Sequence, residues 1–178
     1  SKKVEEDSII IPDTGGTLTW AMQAFKVRSS QMLFSAFNHS PMGYALPAAI
    51  GAQFAAPQRQ VICIIGDGGM QMNIQELETV AFYKLPIKIF LINNEGYGII
   101  KQTQDTWLDS RYVGADPENG LGIPNFVKIA NAYGIEAIEM KNQKELNDKI
   151  RIVLNIDGPV LCDVKLDPNQ KIIPKLTW

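Results

Sequence analysis

Gly66-Asp67-Gly68 and, after the 24 residues from Gly69 to Ile92, the pair Asn93-Asn94 are the residues whose types and spacing point to chemistry. The first group follows an apolar, β-rich run, Val61 to Ile65, and precedes Ile74, Leu77, Val80 and Ala81 at helical spacing. Pro86 then restarts an apolar run that ends at Asn93-Asn94. A strand, a helix and a second strand in that order cross over right-handed and leave the strands parallel, so Asp67 and Asn94 stand at carboxyl ends on one edge of a sheet. If the strands are neighbours, about 5 Å separates them, and one small cation touches both side chains. The glycine turn exposes backbone N–H groups at a helix start, where they and the helix dipole attract phosphate. One carboxylate, one amide oxygen and a phosphate cradle suit Mg²⁺, which takes hard oxygen ligands and shares them with a bound diphosphate. Two commoner nucleotide motifs are excluded: a dinucleotide fingerprint needs glycine where Gln71 stands, and no Gly-Lys-Ser or Gly-Lys-Thr exists for a P-loop.

The elements that must position these residues alternate along the chain. Ser8 to Ile11 reads as a strand ending at Pro12-Asp13; Thr14-Gly15-Gly16 turns into an amphipathic helix through Leu18, Met22 and Phe25; Met32 to Phe37 reads as a second strand. Asn38 to Gly43 is a loop, and Ala45 to Ala56 is rich in small residues and helical, closing at Pro57. Beyond the central unit, Ile99 to Trp107 is weakly helical and Asp109 to Pro124 is a polar loop long enough to be a lid. Asn125 to Tyr133 is a helix stopped by Gly134, Ile135 to Met140 a strand, Gln143 to Asn155 a helix, and Pro159 to Val164 a last strand. About six strands alternating with helices predict an α/β fold with a doubly wound, mainly parallel sheet and helices on both faces. In such sheets ligands bind beyond the carboxyl ends, where strand order reverses. The turns after Asp13, Phe37, Gly66 and Asn94 all fall there.

At 178 residues and 46% hydrophobic, the chain is long enough for one domain with a proper core. Acidic and basic residues nearly balance, 19 against 17, and no Lys/Arg cluster stands out, which argues against nucleic acid as a partner. No apolar run reaches the length of a membrane span and the start, Ser-Lys-Lys, has no signal-peptide pattern, so the chain reads as soluble and cytoplasmic. Without an initiator Met it reads as part of a longer chain. Cys63 and Cys162 lie inside apolar strand candidates and read as buried small hydrophobes in a reducing compartment.

Gly66-Asp67-Gly68 with Asn93-Asn94 at this spacing resembles the diphosphate and metal motif of thiamine diphosphate-dependent enzymes, specifically their C-terminal diphosphate-binding domain. The resemblance implies that Asp67 and Asn94 give side-chain oxygens, and Gly96 its backbone carbonyl, to Mg²⁺ or Ca²⁺. It places Gly66, Gly68 and Gly69 at the diphosphate. The segment Ser40-Pro41-Met42-Gly43-Tyr44-Ala45-Leu46-Pro47-Ala48-Ala49-Ile50-Gly51-Ala52 is similar to one that acetolactate synthase-like members carry before Gly-Asp-Gly. There a bulky apolar residue wedges between the cofactor's two rings. Met42 matches it, and backbone groups of Ser40 and Met42 are implied to hold the aminopyrimidine. Holding that ring against the thiazolium carbon supplies rate through orientation.

The implied activity is decarboxylation of a 2-oxoacid and carboligation. The activating glutamate of the family lies in a separate pyrimidine-binding domain, and no residue here matches it. The chain therefore holds half of a site, is expected to be inactive alone, and implies a pyrimidine domain of the same or a partner chain in a homodimer or larger assembly. One departure bears on the substrate: Thr103 stands where acetolactate synthases carry tryptophan, the nearest indole is Trp107, and the run Lys101 to Asp105 makes for a more polar pocket. His39, the single histidine, falls at the mouth of the implied site, with a structural role equally open. Glu76 and Glu78 read as helix-surface or capping charges. Residues after Asp167 read as a trailing surface segment, with a covering role over the site as the alternative. Two other functions stay open: a separately encoded subunit of a two-chain thiamine diphosphate enzyme, and a non-catalytic binding module of the same fold.

Overall fold

The computed structural model describes residues 1–174. Six strands, β1 (Ile9–Pro12), β2 (Met32–Leu33), β3 (Val61–Gly66), β4 (Lys88–Asn93), β5 (Glu136–Met140) and β6 (Val160–Lys165), form one sheet in the order β2-β1-β3-β4-β6-β5. Every pairing is parallel. Parallel strands buried on both faces read as near-continuous apolar runs. Ile9-Ile10-Ile11 in β1 and Val61 to Ile65 in β3 are such runs, and this is why their boundaries are close to those expected.

Helices α1 (Gly15–Ala24), α2 (Ala45–Ala55), α3 (Asp67–Met72), α4 (Glu76–Phe82), α5 (Gly98–Trp107), α6 (Phe126–Ala132) and α7 (Leu146–Asn155) link the strands. On one face, Leu46 and Ala49 of α2, Leu77 and Val80 of α4, and Phe126 and Ala130 of α6 pack against Ile11, Cys63, Ile65, Ile89 and Leu91. On the other, Val153 and Ile150 of α7 pack against Phe90, Val160 and Cys162. Cys63 and Cys162 are fully buried free thiols. Leu77, with no exposed surface at the middle of the larger cluster, is expected to lose about 3 kcal/mol of stability as Leu77→Ala. Urea unfolding monitored by far-UV circular dichroism measures it.

Three elements differ from expectation. β2 keeps two paired residues, Met32 opposite Ile9 and Leu33 opposite Ile10, because it is an edge strand and the chain turns away after Phe34. The helix expected after the glycine turn is broken into α3 and α4 at Asn73, whose backbone leaves the helical region (φ −133°) and whose side chain donates to the Gly43 carbonyl at 2.8 Å. The 109–124 segment contains a 3₁₀ turn, Pro117–Asn119, capped by the Asp116 carboxylate, which accepts from the Asn119 N–H at 3.1 Å. No helix among the described residues is long and apolar enough to cross a membrane.

Candidate functional site

The chain leaves β1 to form β2 on one side and β3 on the other, so strand order reverses between β1 and β3. Beyond the carboxyl ends at that junction lies a cavity of about 360 Å³. Asp67, Asn94, Gly96, Gly66, Gly68, Gly69, Ser40 and Met42 all line it. β3 and β4 are direct neighbours, and the pairing of Gly66 with Ile92 sets Asp67 beside the Asn93-Asn94 step. The two asparagines diverge as alternating residues at a strand end must. Asn93 is buried and donates to Asp163 Oδ1 on β6 at 3.0 Å, while Asn94 faces the cavity.

Asp67 is 2% exposed. Its Oδ1 accepts from the Gly68 N–H at 2.6 Å and its Oδ2 from the Gly96 N–H at 3.1 Å, tying the two strand-end turns together. Burial pushes its carboxyl up to about 6, and the N–H donors of Gly68 and Gly96 oppose that rise. The side-chain oxygens of Asp67 and Asn94, with backbone carbonyls of the 94–97 turn, are hard donors able to hold a small divalent cation. Among the described residues no group of three His, Cys, Asp or Glu side chains is placed to hold one unaided.

Above Gly68 the Tyr97 ring and the Met42 methyl converge. A methyl on Gly68 would meet Tyr97 Cε1 at 2.3 Å and Met42 Cε at 2.9 Å. Met42 is 38% exposed, so it rises from the cavity wall instead of filling the core. The Ser40 hydroxyl pairs with Thr14 Oγ1 at 2.5 Å and the Ser40 N–H donates to the Ala36 carbonyl at 2.7 Å, while among the described residues no backbone N–H donates to the Ser40 carbonyl. Gly43, at φ +85°, lets the chain reverse between Met42 and α2.

The roles of Asp13, Tyr97 and Thr17 emerge only from the folded chain. Asp13, at the tip of β1 and 1% exposed, accepts from the Gly43 N–H at 3.1 Å and the Ala45 N–H at 3.0 Å, which anchors the loop carrying Ser40 and Met42 to the sheet. Burial raises its carboxyl above the ordinary range against those same donors. Its signal in the sequence is an acid closing an apolar run just before Gly15-Gly16, the pattern that Asp67 repeats. Thr17 Oγ1 lies 3.3 Å from where a methyl on Gly66 would stand.

Other expectations fall elsewhere. His39 is exposed and outside the cavity lining. Thr103 is exposed as well, and Gln102 takes the place on the wall. Glu76 and Glu78 occupy the first turn of α4, where Glu76 accepts from Thr79 Oγ1 at 3.0 Å. Of the residues after Asp167, Gln170 and Ile172 line the cavity. The Gln102 side chain grips this segment at one residue, donating to the Ile172 carbonyl and accepting from its N–H, each at 3.0 Å. Residues 175–178 of the same expectation lie outside the described residues. The 109–124 segment contributes nothing to the cavity lining.

Comparison with known proteins bears on this arrangement. The family model described as "Thiamine pyrophosphate enzyme, C-terminal TPP binding domain" matches residues 13–164. The acetolactate synthase large subunit of Porphyra purpurea is 40% identical over 174 residues, 98% of this chain and 29% of that protein. The probable acetolactate synthase large subunit of Methanococcus aeolicus is 35% identical over 169 residues, 95% of this chain and 28% of its own length. Acetolactate synthase isozyme 1 large subunit of Escherichia coli (strain K12) is 33% identical over 171 residues, 96% of this chain and 30% of its own. The chain thus spans about three tenths of the length of the relatives it matches.

Proposed function

Since the chain belongs to the thiamine pyrophosphate enzymes, as their C-terminal TPP binding domain, we propose that it supplies the diphosphate and Mg²⁺ half of the active site of an acetolactate synthase-like enzyme acting on 2-oxoacids by decarboxylation and carboligation. The observation that carries this reading is the convergence of Asp67, Asn94 and Gly96 with Gly66, Gly68 and Gly69 on one cavity at the switch point of the sheet.

The residues fit the group. Gly66, Gly68 and Gly69 line the cavity without side chains of their own, so a diphosphate there would meet their backbone N–H groups. The donor set is oxygen only, as Mg²⁺ requires. Thiamine diphosphate, when bound, supplies the nucleophilic carbon and the electron sink that a 2-oxoacid needs in order to lose CO₂. Asp67 and Asn94 hold the cation through side-chain oxygens and Gly96 through its carbonyl, while Met42 orients the cofactor's two rings. Ser40 offers its carbonyl to the aminopyrimidine. Gln102, Ile172 and Gln170 line the same cavity and are placed to touch a bound substrate.

The open side of the cavity takes the pyrimidine-binding domain of the same or a partner chain, in a homodimer or larger assembly. The isolated chain, lacking the activating glutamate, is inactive. Buried thiols at Cys63 and Cys162 suit a reducing cytoplasm. Calorimetric titration with thiamine diphosphate tests the proposal: heat of binding is expected with Mg²⁺ and lost in EDTA. Binding indifferent to Mg²⁺, or none in the intact protein, returns the chain to a non-catalytic module. Steady 2-oxoacid decarboxylation by the 178-residue chain alone contradicts the half-site.

A further inference from the structure

The turn from Asn93 to Tyr97 carries Glu95 in the left-handed region, at φ +57°. A non-glycine residue held there is strained by about 1 kcal/mol or more, and such a turn persists where its surroundings over-determine it. Its entry is fixed by Asn93, which donates to Asp163 Oδ1 and accepts from the Glu95 N–H at 3.2 Å; Asp163 in turn pairs with Lys165 at 2.8 Å.

Its exit is fixed by the 109–124 segment. The Tyr97 N–H donates to the Ala115 carbonyl at 2.8 Å, and Ala115 is fully buried. Gly96 is pressed against the same carbonyl: a methyl on Gly96 would stand 2.5 Å from Ala115 O and 3.4 Å from Asp116 Cα. Asp116 locks this contact in place. Its Oδ2 pairs with Lys101 Nζ at 2.9 Å, and its Oδ1 accepts from Asn119 Nδ2 at 2.6 Å as well as from the Asn119 N–H. Lys101 stands one turn into the helix that Tyr97 starts, its N–H donating to the Tyr97 carbonyl at 3.0 Å. Both side chains of the ion pair are largely shielded, 16% and 11% exposed, so water screens the pair far less than a surface one.

We infer that Asp116 is a positioning residue for the metal-binding turn: through Lys101 and the Ala115 carbonyl, the 109–124 segment clamps Gly96 against Asp67. The inference rests on the proposed reading in which Asp67, Asn94 and Gly96 hold the cation. It makes the segment a clamp under the site, where the sequence alone offered a lid over it.

Groups that orient metal ligands change metal affinity by about 10–100-fold when removed. Mg²⁺ titrated into the full-length protein at saturating thiamine diphosphate is expected to bind about tenfold more weakly in Asp116→Asn, which keeps the volume, and in Lys101→Met. The double variant is expected to bind no more weakly than either single one, because both remove one interaction. Lys101→Arg keeps the pair and is expected to restore affinity to within about twofold. Asp148→Asn, in an exposed ion pair with Arg151 on α7, serves as a control with unchanged affinity.

Wild-type Mg²⁺ affinity in both Asp116→Asn and Lys101→Met overturns the clamp, as does loss of the folded state in both, because a clamp on one turn leaves the sheet intact. Failure of the underlying reading looks different. The unsubstituted protein then shows no Mg²⁺ dependence, or Asp67→Ala binds as the unsubstituted protein does, and the clamp falls with it.

Discussion

Gly69→Ala is expected to lower the stability of this chain by about 3 kcal/mol and to reduce thiamine diphosphate affinity by about 100-fold or more. The added methyl would stand 2.1 Å from Asp13 Oδ2, 3.2 Å from its Cγ and 3.3 Å from Ile65 Cγ1. A flexible side chain swings away from such a contact, but Asp13 is buried and held by two N–H donors from Gly43 and Ala45. Moving it strips hydrogen bonds from a carboxylate that water does not reach, and removing the partner of a buried charge costs about 3–5 kcal/mol. If β3 and α3 shift instead, the glycine cradle moves out of line with Asn94. Either route loosens the loop carrying Ser40 and Met42, so stability and binding fall together. For a domain of this size the stability loss corresponds to a fall of roughly 6–12 °C in Tm. Gly51→Ala is the comparison: it lies within α2 with nothing within 4 Å of the new methyl, and is expected to stabilise by about 0.5–1 kcal/mol. Denaturant unfolding with cofactor titration measures both, and a Gly69→Ala protein as stable as the unsubstituted one contradicts the packing argument.

The sheet was largely legible in the sequence because its strands are buried on both faces. Val61 to Ile65 and Pro159 to Val164 are apolar runs whose limits agree with β3 and β6 to within about one residue. The motif residues were legible for a related reason: chemistry at a switch point sits where a strand ends, and apolar runs mark strand ends. What stayed hidden depends on contacts distant in sequence. Leu18, Met22 and Phe25 suggested the buried stripe of α1, yet Thr17 is its buried residue, Met22 is half-exposed, and Leu18, Thr19 and Trp20 line the cavity. An apolar stripe states that a surface is to be covered, not by what. The break at Asn73 was invisible because Ile74, Leu77, Val80 and Ala81 keep helical spacing through α4, and the amide that ends α3 is bound to a loop 30 residues earlier. Asp13 was legible as a turn and not as an anchor, since its partners lie 30 and 32 residues on. The 109–124 segment looked like a lid because composition marks a long polar loop but not the surface it rests on.

Asp67 makes the metal-free fold and the metal-bound site respond to pH in opposite directions. An exposed aspartate titrates near 3.8, whereas burial brings the Asp67 carboxyl to about 6 in the folded chain. The folded state therefore holds this proton more tightly than the unfolded one, and its contribution to stability is full below pH 3.8 and lost as pH rises through 6. That difference corresponds to about 3 kcal/mol. In EDTA, stability is expected to fall between about pH 4 and 6 and then level off, with Asp13 contributing in the same direction. Asp67→Asn should remove the Asp67 part of that slope and leave the Asp13 part. With Mg²⁺ and thiamine diphosphate present the charged carboxylate is the ligand, so protons compete with the metal, and Mg²⁺ affinity is expected to drop about tenfold per pH unit below 6. The Asp67 contribution to the stability of the cofactor-loaded protein should thus stay level from pH 5 to 7.5, because the loaded and the unfolded states both carry this carboxylate charged, while the stripped protein loses stability, and Asp67→Ala should show no response to Mg²⁺ at any pH. Urea unfolding at four pH values, with EDTA or with Mg²⁺ and cofactor, reads out both slopes. A Mg²⁺ affinity that stays level from pH 5 to 7.5, or an Asp67→Asn protein with the full original slope, removes Asp67 from the metal.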